Sequence, residues 1–372
     1  MAIQSDANMK VVFRCDASLQ IGTGHVMRCL TLADALTEQG AECHFICREH
    51  TGQLLDMIQQ RGHQTYSLPV ESGLQLQNGE RAELAHADWL GSTQQKDAEL
   101  CGNLLQVLQT DWLIVDHYAL DEHWEKLLRP YCKKLMVIDD LADRHHNCDI
   151  LLDQTFGRDP QNYVQWVPRN CKLLCGANYA LLRPEFSQWR EYSIKRREKG
   201  QLEHLLINLG GVDKDNVTTQ ILKGLQNSAL PDYCKITVVM GSKAPWVDVV
   251  QQQAALMRWP TEVKKGVSNM AELMANSDLA IGAAGSTSWE RCCLGLPTIM
   301  LVLADNQQQL AINLQQANAV YTVNLGLAFD SSVLNAIENF ILSPLALKEM
   351  SQASSDILDG LGTSLTIKEM VI

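Results

Sequence analysis

The chain has 372 residues, of which 46% are hydrophobic and 20% are charged, and its formal net charge is −12. This composition is typical of a folded protein rather than a disordered one, and the length exceeds what one hydrophobic core usually supports, so we expect two domains. The acidic charge argues against nucleic acid as a partner, because binding a polyanion requires a basic surface.

The N-terminus and the cysteines indicate a compartment. Residues 1–8 are polar and lack the basic-then-apolar pattern of a signal sequence, and no apolar run approaches the roughly 18 residues that span a bilayer. The 12 cysteines are scattered, and none of their spacings resembles a paired CxxC zinc site. We expect a cytoplasmic protein with reduced thiols, no membrane partner and no bound metal.

The first predicted elements are a strand over 11–16, a glycine loop and a helix. Gly22 and Gly24 permit backbone conformations that other residues resist, and the N–H groups of a following helix favour negative charge. His25 stands where the helix begins, either as a catalytic base or as a capping or surface residue. The loop fails the GxGxxG dinucleotide fingerprint because Met27 occupies the third glycine position, which weakens a dehydrogenase interpretation.

Further strands and helices alternate through the first half. Apolar runs without alternation predict strands buried on both faces of a parallel sheet, and the segment 69–91 is predicted to be a long polar loop with some helix over 81–89. Acidic residues follow two strands, in Asp116-His117-Tyr118 and in Asp139-Asp140, and mark either a ligand crevice or solvated strand ends. The predicted strands are 42–47, 64–68, 112–115, 135–138 and 150–152, and the helices 52–60 and 95–109.

A second alternating unit begins with a strand that enters Gly210-Gly211. Its most informative loop is Gly285-Ser286-Thr287, which offers backbone N–H groups and hydroxyls to a diphosphate, with Glu290 one turn later for a ribose diol. The alternative is an ordinary turn with a capped helix. The remaining predictions are strands at 205–209, 235–240, 278–281 and 297–303, helices at 213–226 with Asn216 as a cap, 246–257 and 307–316, and a mainly helical C-terminus.

These patterns predict an α/β protein of two doubly wound, Rossmann-like domains with parallel sheets and a cleft between them. We expect an N-terminal domain over 9–180, a linker over 181–200 that ends in a charged run, a C-terminal domain over 201–350 and a helical tail over 351–372.

The chain contains an ordered set of motifs. They are Arg14-Cys15-Asp16, GxGHxxR over 22–28, Val115-Asp116-His117-Tyr118, Ile138-Asp139-Asp140, Leu182-Arg183-Pro184-Glu185-Phe186 and GxxGSTSWE over 282–290. With these motifs the chain, from Lys10 to about Gln316, resembles the UDP-sugar hydrolases of pseudaminic acid biosynthesis, which remove UDP from a 2,4-diacetamido-2,4,6-trideoxy-β-L-altropyranose. The resemblance implies the GT-B fold of glycosyltransferases, among them the peptidoglycan N-acetylglucosaminyltransferase.

The resemblance also implies residue roles. His25 matches the proposed catalytic histidine, which activates a water, while Tyr118 and Asn306 match positions that line the reacting sugar. Serine and threonine of the 285–290 loop match phosphate contacts, and Glu290 matches the ribose contact. The residues assigned to substrate binding are Asp16, Gly22, Gly24, Arg28, Gly210, Gly211, Gly285, Ser286, Thr287, Glu290 and Asp305.

The reaction expected from these roles is attack of water on the anomeric carbon with inversion and release of UDP, with no cofactor. The partners are then a UDP-sugar and water, and a monomer is favoured. A glycosyltransferase shares the donor site and differs in its acceptor, while a UDP-sugar 2-epimerase shares the architecture. A nucleotide-sugar sensor needs Ser286 and Glu290 but has no use for His25.

Overall fold

The computed structural model describes residues 8–71, 84–242, 244–304, 307–324 and 329–370. Asp305, Asn306 and residues 81–83 of the helix predicted over 81–89 lie outside this description. In the described part of that segment, Ala87–Trp89 forms one short 3₁₀ turn. The chain divides into two compact units, Met1–Leu181 with Thr363–Ile372, and Leu182–Gly362.

The first unit is built on a seven-stranded sheet in which every pairing is parallel, in the order β3-β2-β1-β4-β5-β6-β7. Apolar side chains cover both faces, so the unalternating strands are buried as the sequence predicted. The strands are β1 (Lys10–Cys15), β2 (Glu42–Arg48), β3 (Gln64–Leu68), β4 (Thr110–Asp116), β5 (Cys132–Ile138), β6 (Ile150–Asp153) and β7 (Lys172–Cys175), and the helices between them are α1 (Gly24–Glu38), α2 (Leu55–Gln60), α3 (Gln94–Leu108) and α4 (Glu122–Leu128).

The second unit carries a six-stranded parallel sheet in the order β10-β9-β8-β11-β12-β13. Its core is formed by the apolar faces of the strands and of the flanking helices. The strands are β8 (His204–Asn208), β9 (Lys235–Met240), β10 (Thr261–Lys265), β11 (Leu279–Ala283), β12 (Thr298–Val302) and β13 (Tyr321–Asn324), and the helices are α5 (Pro184–Arg197), α6 (Val217–Leu225), α7 (Val247–Ala254), α8 (Met270–Ala275), α9 (Thr287–Cys293), α10 (Gln308–Gln316), α11 (Phe329–Leu342) and α12 (Pro344–Ser355).

The segment expected to be a linker, 181–200, is mostly helix α5, and from Leu182 onward it belongs to the second unit. Its charged run was interpreted as a solvated helix end, but Arg197 is buried and donates hydrogen bonds to the carbonyl oxygens of Met274, Ser277 and Leu294. Arg190 similarly donates to the carbonyl oxygen of Ser355. The guanidinium groups thus attach this segment to the second unit.

The predicted C-terminal tail is also divided. Its last helix, α13 (Gly362–Met370), joins the first unit, where Ile367 and Met370 lie in the hydrophobic core and Glu369 forms an ion pair with Lys172. No helix in the described ranges is long and apolar enough to span a membrane.

The local predictions failed where the sequence signal was weak. Strands β7, β10 and β13 and helices α4 and α8 were missed; all are seven residues or shorter, and most of β10 is polar. The predicted cap of α6 was wrong. Asn216 occupies the N-cap position with φ 53° but makes no capping bond, whereas the carboxylate of Asp213 accepts from the N–H groups of Val217 and Thr218 at 2.9 and 3.0 Å.

Candidate active site

The loop between β1 and α1 presents His25 at the start of a helix. Ser18 and Gly22 close the loop with two reciprocal backbone hydrogen bonds of 3.3 and 2.9 Å, and Gly22 has a φ of 82°, which favours glycine. Helix α1 begins at Gly24, so His25 lies in its first turn, with 8% of its surface exposed. The imidazole is therefore held by regular structure on one side and remains reachable on the other.

Asp116, the last residue of β4, orients this imidazole. Because β4 lies beside β1 in the sheet, Asp116 pairs in register with Cys15 and meets the loop that follows β1. The Nδ1 atom of His25 is 2.6 Å from Oδ1 of Asp116. Arg28, one turn further along α1, donates to both carboxylate oxygens at 2.6 and 2.7 Å. The carboxylate thus binds a guanidinium and an imidazole at once.

The electrostatics of Asp116 determine which nitrogen of His25 carries the proton. Burial acts to raise the pKa of the Asp116 carboxyl, but the charges of Arg28 and His25 outweigh burial and hold that pKa well below its usual value. An ionised carboxylate can only accept, so Nδ1 carries a proton, and in the neutral imidazole Nε2 then keeps its lone pair. No described residue forms a hydrogen bond with Nε2. In its neutral form His25 therefore has an accepting nitrogen, Nε2, that is free for a ligand or water.

Tyr118 and Asp140 complete the cluster. Arg28 donates to one oxygen of Asp140 at 3.0 Å, and the hydroxyl of Tyr118 donates to the other. The ring of Tyr118 meets the ring of His25 edge to face, with centroids 4.7 Å apart. Burial, followed by the charge of Asp140, raises the pKa of Tyr118 well above its ordinary value, so the side chain stays a neutral phenol.

Asp16 lies beneath this cluster. It was predicted to bind substrate, but its carboxylate is buried and accepts from Arg14 Nη1 and from the backbone N–H of Arg48, both at 2.7 Å. His117 accepts from the N–H of Ala119 through Nδ1, so its proton is on Nε2, which lies 3.1 Å from the other Asp16 oxygen. In the structure Asp16 therefore supports the turn after β4.

In the second unit the predicted glycines lie in loops after the strands, and one of them, Gly211, is closely packed against a neighbouring loop. Gly210, in the loop after β8, has a φ of 92°, and a Cβ at Gly241, after β9, would collide with the carbonyl oxygen of Gly211. The space around Gly285, after β11, is open instead. Since β8, β9 and β11 are neighbouring parallel strands, these loops share one edge of the sheet.

Arg291 braces the loop that contains Ser286 and Thr287. It donates to the carbonyl oxygen of Ala283 at 2.7 Å and to the hydroxyl of Thr287 at 3.1 Å, and its buried position lowers its pKa to about 10. Ser286 is exposed. Both hydroxyls can therefore still donate a hydrogen bond to an anion, Thr287 because its oxygen is only an acceptor toward Arg291.

The carboxyl group of Glu290 receives no hydrogen bond from the described residues. The carboxyl is partly buried, and burial raises its pKa to about 7 even though Arg183 and Arg291 act in the opposite direction. A partly desolvated carboxylate without donors is an effective acceptor for a ligand that brings hydroxyl groups.

The predicted residues thus form two groups. Gly22, Gly24, His25, Arg28 and Tyr118 converge in the first unit, and Gly210, Gly211, Gly285, Ser286, Thr287 and Glu290 lie at one sheet edge of the second, while Asp305 and Asn306 lie outside the described residues. The assigned set omitted Asp116 and Asp140. Their position at the ends of apolar strands is the signal that the sequence offers, but solvated strand ends show the same pattern.

Residues 206–361 match the model of the glycosyltransferase family 28 C-terminal domain. Over 306 residues the chain is 30% identical to the UDP-2,4-diacetamido-2,4,6-trideoxy-β-L-altropyranose hydrolase of Campylobacter jejuni. The matched region covers 82% of this chain and 95% of that protein. It is 25% identical over 305 residues to an uncharacterized protein of Methanocaldococcus jannaschii, matching 81% of this chain but only 57% of the relative's length.

Among solved structures, the MurG of Acinetobacter baumannii resembles the chain with a TM-score of 0.68 at 16% identity, over 97% of this chain and 99% of that one. At this identity the likeness concerns the fold. Together with the two parallel sheets it confirms the expected two-domain α/β architecture of the GT-B type.

Proposed function

The chain belongs to the family of the UDP-2,4-diacetamido-2,4,6-trideoxy-β-L-altropyranose hydrolase, and on this premise we propose that it is an enzyme that hydrolyses that UDP-sugar. In the proposed reaction water attacks the anomeric carbon, the bond from that carbon to the diphosphate oxygen breaks, and the free sugar is released with inverted configuration. UDP leaves as a stable anion, so the protein has to supply a base, a held water and donors to the diphosphate.

The observation that carries the proposal is the pair formed by His25 and Asp116. With Nδ1–H donated to the carboxylate, Nε2 can accept a proton from water, and the resulting imidazolium remains 2.6 Å from a negative charge. Before this transfer the charges of Asp116, Asp140 and Arg28 sum to minus one, and the added proton brings the cluster to neutrality. The cluster is therefore arranged to stabilise the protonated base.

Residues of the second unit are suited to the nucleotide. We assign Ser286, Thr287 and the adjoining N–H groups to the diphosphate and Glu290 to the ribose hydroxyls, in agreement with the raised pKa of Glu290 and its lack of donors. Tyr118 and Arg28 belong to the sugar side, together with Gly22 and Gly24, which leave room beside His25. The same assignment extends to Gly210, Gly211, Asp305 and Asn306 as substrate contacts.

A glycosyltransferase is the second candidate, favoured by the family 28 domain match over 206–361 and by the likeness to MurG. It would use the same donor site and the same base, with an acceptor hydroxyl in the place of water. The 30% identical relative is named a hydrolase, and for that reason we place hydrolysis first.

One incubation separates these reactions. The purified protein and the UDP-diacetamido sugar are mixed in water enriched in oxygen-18, and the products are followed by proton NMR and mass spectrometry. Hydrolysis at the anomeric carbon releases unlabelled UDP and, at early times, the inverted anomer. Turnover only after a sugar acceptor is added would establish the transferase, and a change confined to C2 of the sugar would establish an epimerase. Label in UDP would contradict cleavage at the anomeric carbon.

A further inference from the structure

Two aromatic side chains that no comparison assigns lie against Tyr118. The ring of Trp89 stacks on the ring of Tyr118 with centroids 5.7 Å apart and an interplanar angle of 29°. His86 lies 4.3 Å from Trp89 and 5.4 Å from Tyr118, again between ring centroids. Because Tyr118 is also 4.7 Å from His25, the three rings form a continuous surface that reaches the proposed base.

The backbone that carries these rings is firmly anchored. Leu90, next to Trp89, is 2% exposed and packs in the core of the first unit. Gly91 follows with a φ of 65°, where a Cβ would lie 2.8 Å from Cε1 of His50, and its carbonyl oxygen accepts from the N–H of Glu71 at 3.1 Å. His86 and Trp89 are therefore held against Tyr118 by packing on their C-terminal side.

The surface is apolar in character although histidine contributes to it. Burial lowers the pKa of His86, an effect that Arg144 and His25 reinforce and that Asp143 and Asp140 oppose. The imidazole is consequently neutral at physiological pH. Both His86 and Trp89 remain partly exposed. A partly exposed aromatic surface beside a catalytic base is suited to alkyl groups of a substrate, because it removes them from water without competing for hydrogen bonds.

We propose that His86, Trp89 and Tyr118 form the apolar wall of the sugar subsite and recognise methyl groups of an N-acylated deoxy sugar. The proposal rests on the proposed function, in which the sugar lies beside His25. The acetamido methyls and the C6 methyl of the substrate are the groups that such a wall would contact. Trp89 is then a specificity-determining residue that distinguishes this sugar from one with hydroxyl groups at the same positions.

Binding without turnover tests the wall directly. In a His25→Leu background, dissociation constants of UDP and of the UDP-diacetamido sugar are measured by calorimetry. We expect Trp89→Ala to weaken binding of the UDP-sugar by about tenfold, the loss typical of one well-packed aromatic contact, and to leave binding of UDP within about twofold. Trp89→Phe should retain most of the affinity, and His86→Ala should weaken binding in the same direction as Trp89→Ala.

Trp166 supplies the matched control. It is also a half-buried tryptophan of the first unit and packs on a histidine, His145, at 4.8 Å. Trp166→Ala should leave both dissociation constants unchanged, and thermal unfolding identifies variants that fail to fold.

Three results would overturn the wall. The first is an unchanged affinity for the UDP-sugar in Trp89→Ala. The second is an equal loss of affinity for UDP and for the UDP-sugar in that variant. The third is an equal affinity for UDP and for the UDP-sugar in the His25→Leu protein that keeps Trp89. Failure of the proposed function is seen separately, as absence of hydrolysis by the unmodified protein, and it leaves these binding measurements interpretable.

Discussion

Replacing Asp116 by asparagine tests the proposed base most directly. The substitution preserves shape but removes the negative charge 2.6 Å from Nδ1 of His25. At an effective dielectric constant of about 20, two opposite charges at that separation attract by about 6 kcal/mol. The amide oxygen retains a dipolar hydrogen bond, so we take about half, roughly 3 kcal/mol, as the lost stabilisation of the imidazolium. Since 1.36 kcal/mol is a factor of ten in rate, kcat should fall by about 10² to 10³-fold.

The assay is release of UDP from the UDP-sugar under saturating conditions, with the affinity for UDP measured in parallel. We expect kcat to fall and the UDP affinity to stay the same, because the nucleotide is assigned to residues of the second unit. Asp139→Asn is the control for lost buried charge. Asp139 lies one residue beyond the end of the neighbouring strand β5, is equally buried and pairs with Arg144 at 2.8 Å, and it makes no contact with His25.

Both variants should unfold at a lower temperature, because each leaves an arginine with a weakened partner. Only Asp116→Asn should lose two or more orders of magnitude in kcat. Equal losses in the two variants would show that buried charge in general, rather than the orientation of His25, limits turnover. A loss below about fivefold in Asp116→Asn would refute the electrostatic argument.

Three further predictions concern single sites. His25→Leu should abolish turnover and keep UDP affinity; near-normal steady-state rates would remove the base assignment. Glu290→Gln should weaken UDP binding. Relative to the unmodified protein, it should also raise the unfolding temperature above pH 7 but not near pH 4.5. The reason is that the Glu290 carboxyl has a pKa of about 7 in the folded state and about 4.5 in the unfolded state, so its ionisation destabilises the fold progressively as pH rises between those values. Thermal unfolding across that range shows the crossover, and a constant difference would contradict it. Gly241→Ala should lower the free energy of unfolding by about 1–3 kcal/mol in denaturant titration, because its Cβ meets Gly211, while Gly285→Ala, with open space, should not.

The sequence predicted the architecture well because its signal was repeated. Unalternating apolar runs such as 205–207 and 135–138 mark buried strands independently of one another, and together they indicate parallel sheets. Short or polar strands such as β10 gave no comparable signal. The sequence also could not predict that Arg197 attaches helix α5 to the second unit, because the acceptors are backbone carbonyl oxygens distant in sequence. A charged run at a solvated helix end would have the same sequence pattern.

The candidate site shows the same limit at the level of individual carboxylates. Asp16 follows β1 directly, nine residues before His25, and was the natural choice for a ligand contact, whereas Asp116 is 91 residues from the histidine it orients. The register of β1 on β4 pairs Cys15 with Asp116 and so brings the distant residue to the loop. Asp16 accepts a hydrogen bond from Arg14, which lies two residues earlier and therefore on the same side of the extended chain. Which aspartate supports the base thus depends on strand register and on the nearest arginine, and neither can be derived from spacing along a single sequence.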